Sequence, residues 1–270
     1  MSYAVVMRLL TMLIVWLTLL VWVFNANRAG CIASAAVLAL MTGMIFITGS
    51  ERSHLLRRAL LAEASQGGGR LLAVVHSHLP VLLRDTVSAA LLAVVLLASA
   101  LTFEPRQWSI LLADLLLLTL LIPRLSRIMR GEVRSEYRYA LARQWAAWIS
   151  VLLLWSEAVL SLVFYPPADY IGMRWQELVT YNLSMPDAGC PLVQAAAQIF
   201  VTCQAIAIWA LQNASRFAHD PTQSIMLWVG YAALAGFTFL TALAYSRALI
   251  GVMGRPWEMW RGFRATTDDD

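Results

Sequence analysis

Seven runs of apolar residues alternate with polar connections along the chain, at 4–24, 31–49, 86–103, 108–123, 145–165, 191–211 and 224–250. Most are close to the ~20 residues that a helix needs to cross a hydrocarbon core about 30 Å thick. In lipid every backbone donor must bond within its own segment or around a closed barrel. The even alternation of barrel strands is absent, so the pattern predicts an all-α, polytopic integral membrane protein with about seven transmembrane helices. The whole of 1–270 reads as one transmembrane helical domain that ends in a short polar tail, 254–270.

Composition strengthens this reading. Hydrophobic residues make up 60% of the 270 positions and charged residues 13%, about half the charge of a soluble domain. The first run follows a weak basic region at Arg8 and lacks a small-residue cleavage site before Asn25; it reads as a retained span rather than a signal peptide.

The charge pattern sets an orientation. All 20 basic residues are arginine, which excludes Schiff-base chemistry and the phosphate-loop lysine, so a seven-helix count does not imply a retinal protein. The net charge of +4 comes from arginines between apolar runs, without the interleaved aromatics of a nucleic-acid module. With seven alternating spans, one face holds Arg8, Arg216 and two long connections, one with Arg52, Arg57, Arg58, Arg70 and Arg84, the other with Arg124, Arg127, Arg130, Arg134, Arg138 and Arg143. These are thirteen of the twenty arginines, so the N-terminus and both connections are expected in the cytoplasm of a bacterial inner membrane. The tail fits this scheme poorly: Arg247, Arg255, Arg261 and Arg264 would lie outside, offset by Glu258 and Asp268 to Asp270. Trp22, Trp108, Trp257 and Trp260 are expected at the outer interface, and Trp145, Trp148, Trp209 and Trp228 at the inner one.

Within the second basic connection, Leu125, Met129, Val133, Tyr137 and Leu141 recur every four residues, with Arg127, Arg130, Arg134 and Arg138 on the adjoining strip. This spacing predicts an amphipathic helix along the cytoplasmic surface, its arginines facing anionic phospholipids or a protein partner, each worth about 1 kcal/mol near an anionic leaflet. The first connection breaks at Gly67 to Gly69. Its apolar second half is expected in the interface, with Pro80 interrupting it before the third span.

Chemistry-bearing residues are few. Asp114 and Glu157 fall inside successive antiparallel spans, each roughly 9–12 Å below the outer surface at 1.5 Å per residue. An ionised carboxylate at that depth costs several kcal/mol unless paired or wetted, so the two read either as a proton or cation site or as interhelical polar glue. Cys31 and Cys190 both fall at the outer boundary, where a disulfide is allowed; Cys203 reads as a small buried hydrophobe. His76 and His78 are two apart and point away from one another on a helix, so neither a metal nor any other cofactor is expected. The outer connection 166–190 offers Asp169, Glu177 and Asp187, with a short helix expected over Met173–Tyr181, but no catalytic constellation or motif. The expectation is a non-catalytic subunit of a larger membrane assembly of secretion, conjugation or respiratory type, touching lipid and other membrane subunits. The alternative is a proton- or cation-coupled transporter or channel using Asp114 and Glu157.

Overall fold

A computed structural model describes residues 3–64, 79–133, 135–164, 169–183, 188–214 and 221–253. Among them the chain forms eight helices: α1 (Tyr3–Phe24), α2 (Cys31–Ala64), α3 (Leu79–Ala100), α4 (Pro105–Ile128), α5 (Ser135–Phe164), α6 (Trp175–Leu183), α7 (Pro191–Ala214) and α8 (Pro221–Gly251). Six helical stretches are long and apolar enough to cross a membrane: Val6–Phe24, Cys31–Glu51, Pro80–Ala100, Pro105–Ile128, Pro191–Asn213 and Trp228–Gly251. Proline opens α4, α7 and α8, where its missing N–H has no intrahelical partner to lose and its fixed φ suits the first turn.

Three expectations about the connections change. Pro80 is the second residue of α3, which starts seven residues before the apolar run, so it initiates that helix instead of interrupting the chain. Beyond its apolar part α2 continues to Ala64. The amphipathic surface helix is absent: α4 runs to Ile128, the chain turns through 129–133, and α5 begins at Ser135. The turn is made by bonds that reach back three residues, Arg130 N to Arg127 O (3.1 Å) and Glu132 N to Met129 O (3.3 Å). Glycine at 131 disfavours a continuous helix there. The four-residue periodicity was therefore the sum of two helix ends.

The central helix is α8, packed against α1, α2, α3, α5 and α7. Its buried Ala242, Ala244 and Ala248 let neighbouring backbones approach closely, as small residues do between membrane helices. Trp155 Nε1 donates to Ala235 O (3.1 Å), and Thr48 Oγ1 to Arg247 O (2.9 Å), tying α5 and α2 to it. A Cβ on Gly251 would overlap the Met44 carbonyl, which belongs to backbone and cannot swing aside. Gly251→Ala should therefore lower the stability of the detergent-solubilised protein by about 1–3 kcal/mol, the usual range for overpacking. A thermal midpoint equal to that of the unsubstituted protein would show that α2 and α8 do not meet at this point.

Helix registers define two ends of the bundle. Arg8 of α1 lies over the ring of Tyr139, and Glu51 of α2 pairs with Arg143, so both contacts mark the end where α5 begins. At α5's other end, residue 170 follows Phe164 closely, and the chain then runs back along α7. Tyr170 N donates to Gln212 Oε1 (2.8 Å), Gly172 N to Asn213 Oδ1 (3.2 Å) and Gln198 Nε2 to Leu183 O (2.6 Å). Gly172 turns the chain at φ 84°, where glycine carries no steric penalty. Seven alternating spans would put residues 170 and 213 on opposite faces, and the structure holds them together.

The tryptophans divide. Trp22 and Trp108 are only 5% and 7% exposed. Trp108 meets Trp16 and Phe103 edge-on, at centroid distances of 6.0 and 5.5 Å. Both indoles serve helix packing, contrary to the belt expected from sequence. Trp145 and Trp228 are exposed, and Trp257 and Trp260 lie outside the described residues.

Candidate functional site

A polar chain crosses the middle of the bundle. The buried Asp114 of α4 accepts a bond from Ser150 Oγ of α5 at Oδ2 (2.8 Å), and Ser150 shares a second bond with Ser246 Oγ of α8 (2.7 Å). One residue away, Tyr245 donates to the Leu111 carbonyl (2.7 Å), fixing its ring against α4. Three helices are thereby joined through side-chain hydrogen bonds, as polar residues join helices in an apolar setting. The second carboxyl oxygen of Asp114, Oδ1, is buried without a hydrogen-bond partner among the described residues. A lone buried acceptor of this kind costs about 1–3 kcal/mol.

Glu157 has a different partner. Its Oε1 accepts from Arg106 Nη2 of α4 at 3.3 Å, and both side chains are partly exposed. Glu157 and Ser150 are seven residues apart on α5, roughly 10 Å along the axis. The two carboxylates expected as one site thus serve two separate contacts at different depths. Between those depths lies a cavity of about 110 Å³, with Glu157, Gln107 and Gln204 on its polar side and Phe103, Phe200 and Phe237 among its apolar walls. Tyr245 also lines it, so the cavity reaches down to the residue beside the serine pair.

At the opposite end Arg143 is almost fully buried, with a side chain 4% exposed, and pairs with Glu51. Its guanidinium also stacks on Tyr139, 4.9 Å from the ring centroid, while Arg8 occupies 4.8 Å at the same ring. Nearby, Ser53 Oγ donates to Asp85 Oδ2 (2.7 Å), linking α2 to α3. The expected arginine strip does not survive as one surface: Arg127 ends α4, Arg130 lies in the turn, Arg138 is on α5, and Arg134 lies outside the described residues. Of that set, Arg138 turns its Nε inward, where it has no hydrogen-bond partner among the described residues.

Cys31 and Cys190 are joined as a disulfide, with Cα atoms 4.6 Å apart, and Cys203 is a free, half-buried thiol on α7. The expected short helix in the outer connection is α6, shifted to Trp175–Leu183. Asp169 accepts from Ile171 N within its own turn (2.9 Å), Glu177 is exposed on α6, and Asp187 lies outside the described residues together with His76, His78 and His219. Among the described residues no three His, Cys, Asp or Glu side chains converge as a metal site would require.

Ser150, Ser246 and the Glu51–Arg143 pair were not singled out from sequence. Serines recur throughout apolar helices, and no spacing ties one to a carboxylate on another helix. The one available signal was Glu51 itself, an acid directly after an apolar run and facing an arginine-rich connection. Compared with protein-family models, with curated proteins and with solved structures, the chain matches none.

Proposed function

We propose that this chain is a non-catalytic, integral subunit of a larger bacterial inner-membrane assembly, of the secretion, conjugation or respiratory kind, with its arginine-rich face in the cytoplasm against anionic phospholipids. The observation that carries this reading is the division of the two intramembrane carboxylates. Asp114 ties α4 to α5 and α8 through two serines, and Glu157 ties α5 back to α4 through Arg106. Polar groups used in this way hold helices in register.

Purification in mild detergent should recover partners in fixed ratio. Asp114→Asn combined with Glu157→Gln should leave that recovery at the unsubstituted level, because asparagine still accepts from Ser150 and the loss is about 1 kcal/mol. A second reading, proton or cation transport, is favoured by the unpartnered Oδ1 of Asp114 and the cavity above it. A monodisperse, partner-free protein that carries ions across liposomes, and loses that flux in the double variant, would replace the first reading with the second.

A further inference from the structure

We infer that the chain crosses the membrane six times rather than seven: α7 lies along the outer side without crossing, and the C-terminal tail returns to the face that holds the N-terminus. This rests on the membrane reading above and concerns how its helices are threaded.

Both ends of α7 are held at one end of the bundle. Its first turn follows Cys190, which is joined to Cys31 in the α1–α2 connection, and Gly189 N donates to Ala26 O of the same connection (2.8 Å). That connection lies at the end α5 reaches with Phe164, because Arg8 and Glu51, at the far ends of α1 and of the apolar part of α2, meet Tyr139 and Arg143 near the start of α5. The last turn of α7 is held there too. Gln212 and Asn213 bond to Tyr170 and Gly172, and Tyr170 is six residues past Phe164, a reach of at most about 20 Å. A hydrocarbon core about 30 Å thick separates the two faces, farther than those six residues reach.

Length and composition alone would let Pro191–Asn213 span, so these contacts decide the matter against it. The helix in its place is α5. It lies antiparallel to α4 over the same depth, with Arg106 opposite Glu157 and Asp114 opposite Ser150, and it crosses where α4 does. From the outer side α8 then descends: Ser246 reaches Ser150 at mid-depth, Arg247 O accepts from Thr48 of α2, and Gly251, the last residue of α8, lies against Met44 in the inner half of the apolar part of α2.

Two further considerations agree. A disulfide persists only on the oxidising side of a bacterial inner membrane, which places Cys31, Cys190 and the start of α7 outside. The arginines redistribute as well: only Arg28, Arg106, Arg174 and Arg216 remain outside and sixteen lie inside, against thirteen for seven spans. The four arginines that the seven-span scheme left on the wrong face are those of the tail and of the end of α8.

The test uses the full chain carrying Cys203→Ala, with the native disulfide kept and one cysteine added at a time: Ser65→Cys, Ala218→Cys or Thr267→Cys. Intact spheroplasts are treated with a membrane-impermeant maleimide, then permeabilised. Position 218 should label in intact spheroplasts, and positions 65 and 267 only after permeabilisation. Label at 267 but not at 218 in intact spheroplasts would restore seven crossings and overturn the inference, as would 218 appearing on the same side as 65. The mirror result, with 65 and 267 outside and 218 inside, would support six crossings while overturning the cytoplasmic placement of the basic face. If the cysteine variants do not accumulate, epitopes placed in turn at the N-terminus and at residue 270 of the otherwise unaltered chain give the same reading: the same response of both to external protease supports the inference and opposite responses overturn it.

Discussion

Glu51→Gln should destabilise the folded protein by about 3–5 kcal/mol, the loss found when one partner of a buried ion pair is removed and the other is left without compensation. The guanidinium left behind belongs to Arg143, whose side chain is 4% exposed and whose Nε and Nη1 have no hydrogen-bond partner among the described residues. Tyr139 supplies a π face, but it already receives Arg8, and a cation–π contact offers only about 0.5–2 kcal/mol. Replacing both partners, Glu51→Gln with Arg143→Met, removes the buried charge altogether and should recover most of the loss. The two single variants and the double form a cycle in which the coupling equals the pair's interaction. Thermal midpoints in detergent provide the readout. A Glu51→Gln protein as stable as the unsubstituted one would mean that Arg143 reaches water or lipid phosphate and that α2 and α5 are not joined at this end.

This pair also shows what could be read from sequence and what could not. Apolar runs located seven of the eight helices, since the exclusion of water from a bilayer core leaves a twenty-residue stretch no other conformation. They could not show how far each helix continues into polar sequence, which is why α2 extends to Ala64 and α5 starts at Ser135. Position in the sequence was legible, so Asp114 and Glu157 were recognised as acids inside apolar runs, but their common depth was not, because the registers of α4 and α5 set them about seven residues apart. Azimuth was not: whether the two face one another depends on the rotation of α4 and α5, and the structure turns Asp114 to Ser150 and Glu157 to Arg106. Threading is not legible for a related reason. Hydropathy measures what a helix tolerates as surroundings, and α7 is apolar enough to span while its first turn follows a disulfide to Cys31 and its last turn bonds to Tyr170. Only the tail's arginines hinted at this in the sequence, as a charge excess on the wrong face.

The second large effect is expected at the disulfide. Cys31 and Cys190 are separated by 159 residues in the chain, so the link closes a loop that contains most of the helices. In a soluble chain, closing so long a loop removes enough entropy from the unfolded ensemble to be worth roughly 4–5 kcal/mol. Helices already inserted in a membrane are less free than a random coil, and loss of the link should therefore cost about 2–4 kcal/mol, the typical range for native disulfides. Cys31→Ser, Cys190→Ser and the double variant should be equally destabilised, because one bond is lost in each. The backbone contact beside it sharpens the prediction. A Cβ on Gly189 would stand 2.8 Å from both the Asn27 and Ala29 carbonyl oxygens, so Gly189→Ala should separate the α1–α2 connection from α7 and hinder formation of the bond. Denatured but unreduced protein should react with one equivalent of maleimide, at Cys203, and reduced protein with three. Three reactive thiols before reduction in protein taken from the cell would show that the two cysteines are not joined there, and the anchor that holds the start of α7 beside the α1–α2 connection would be gone.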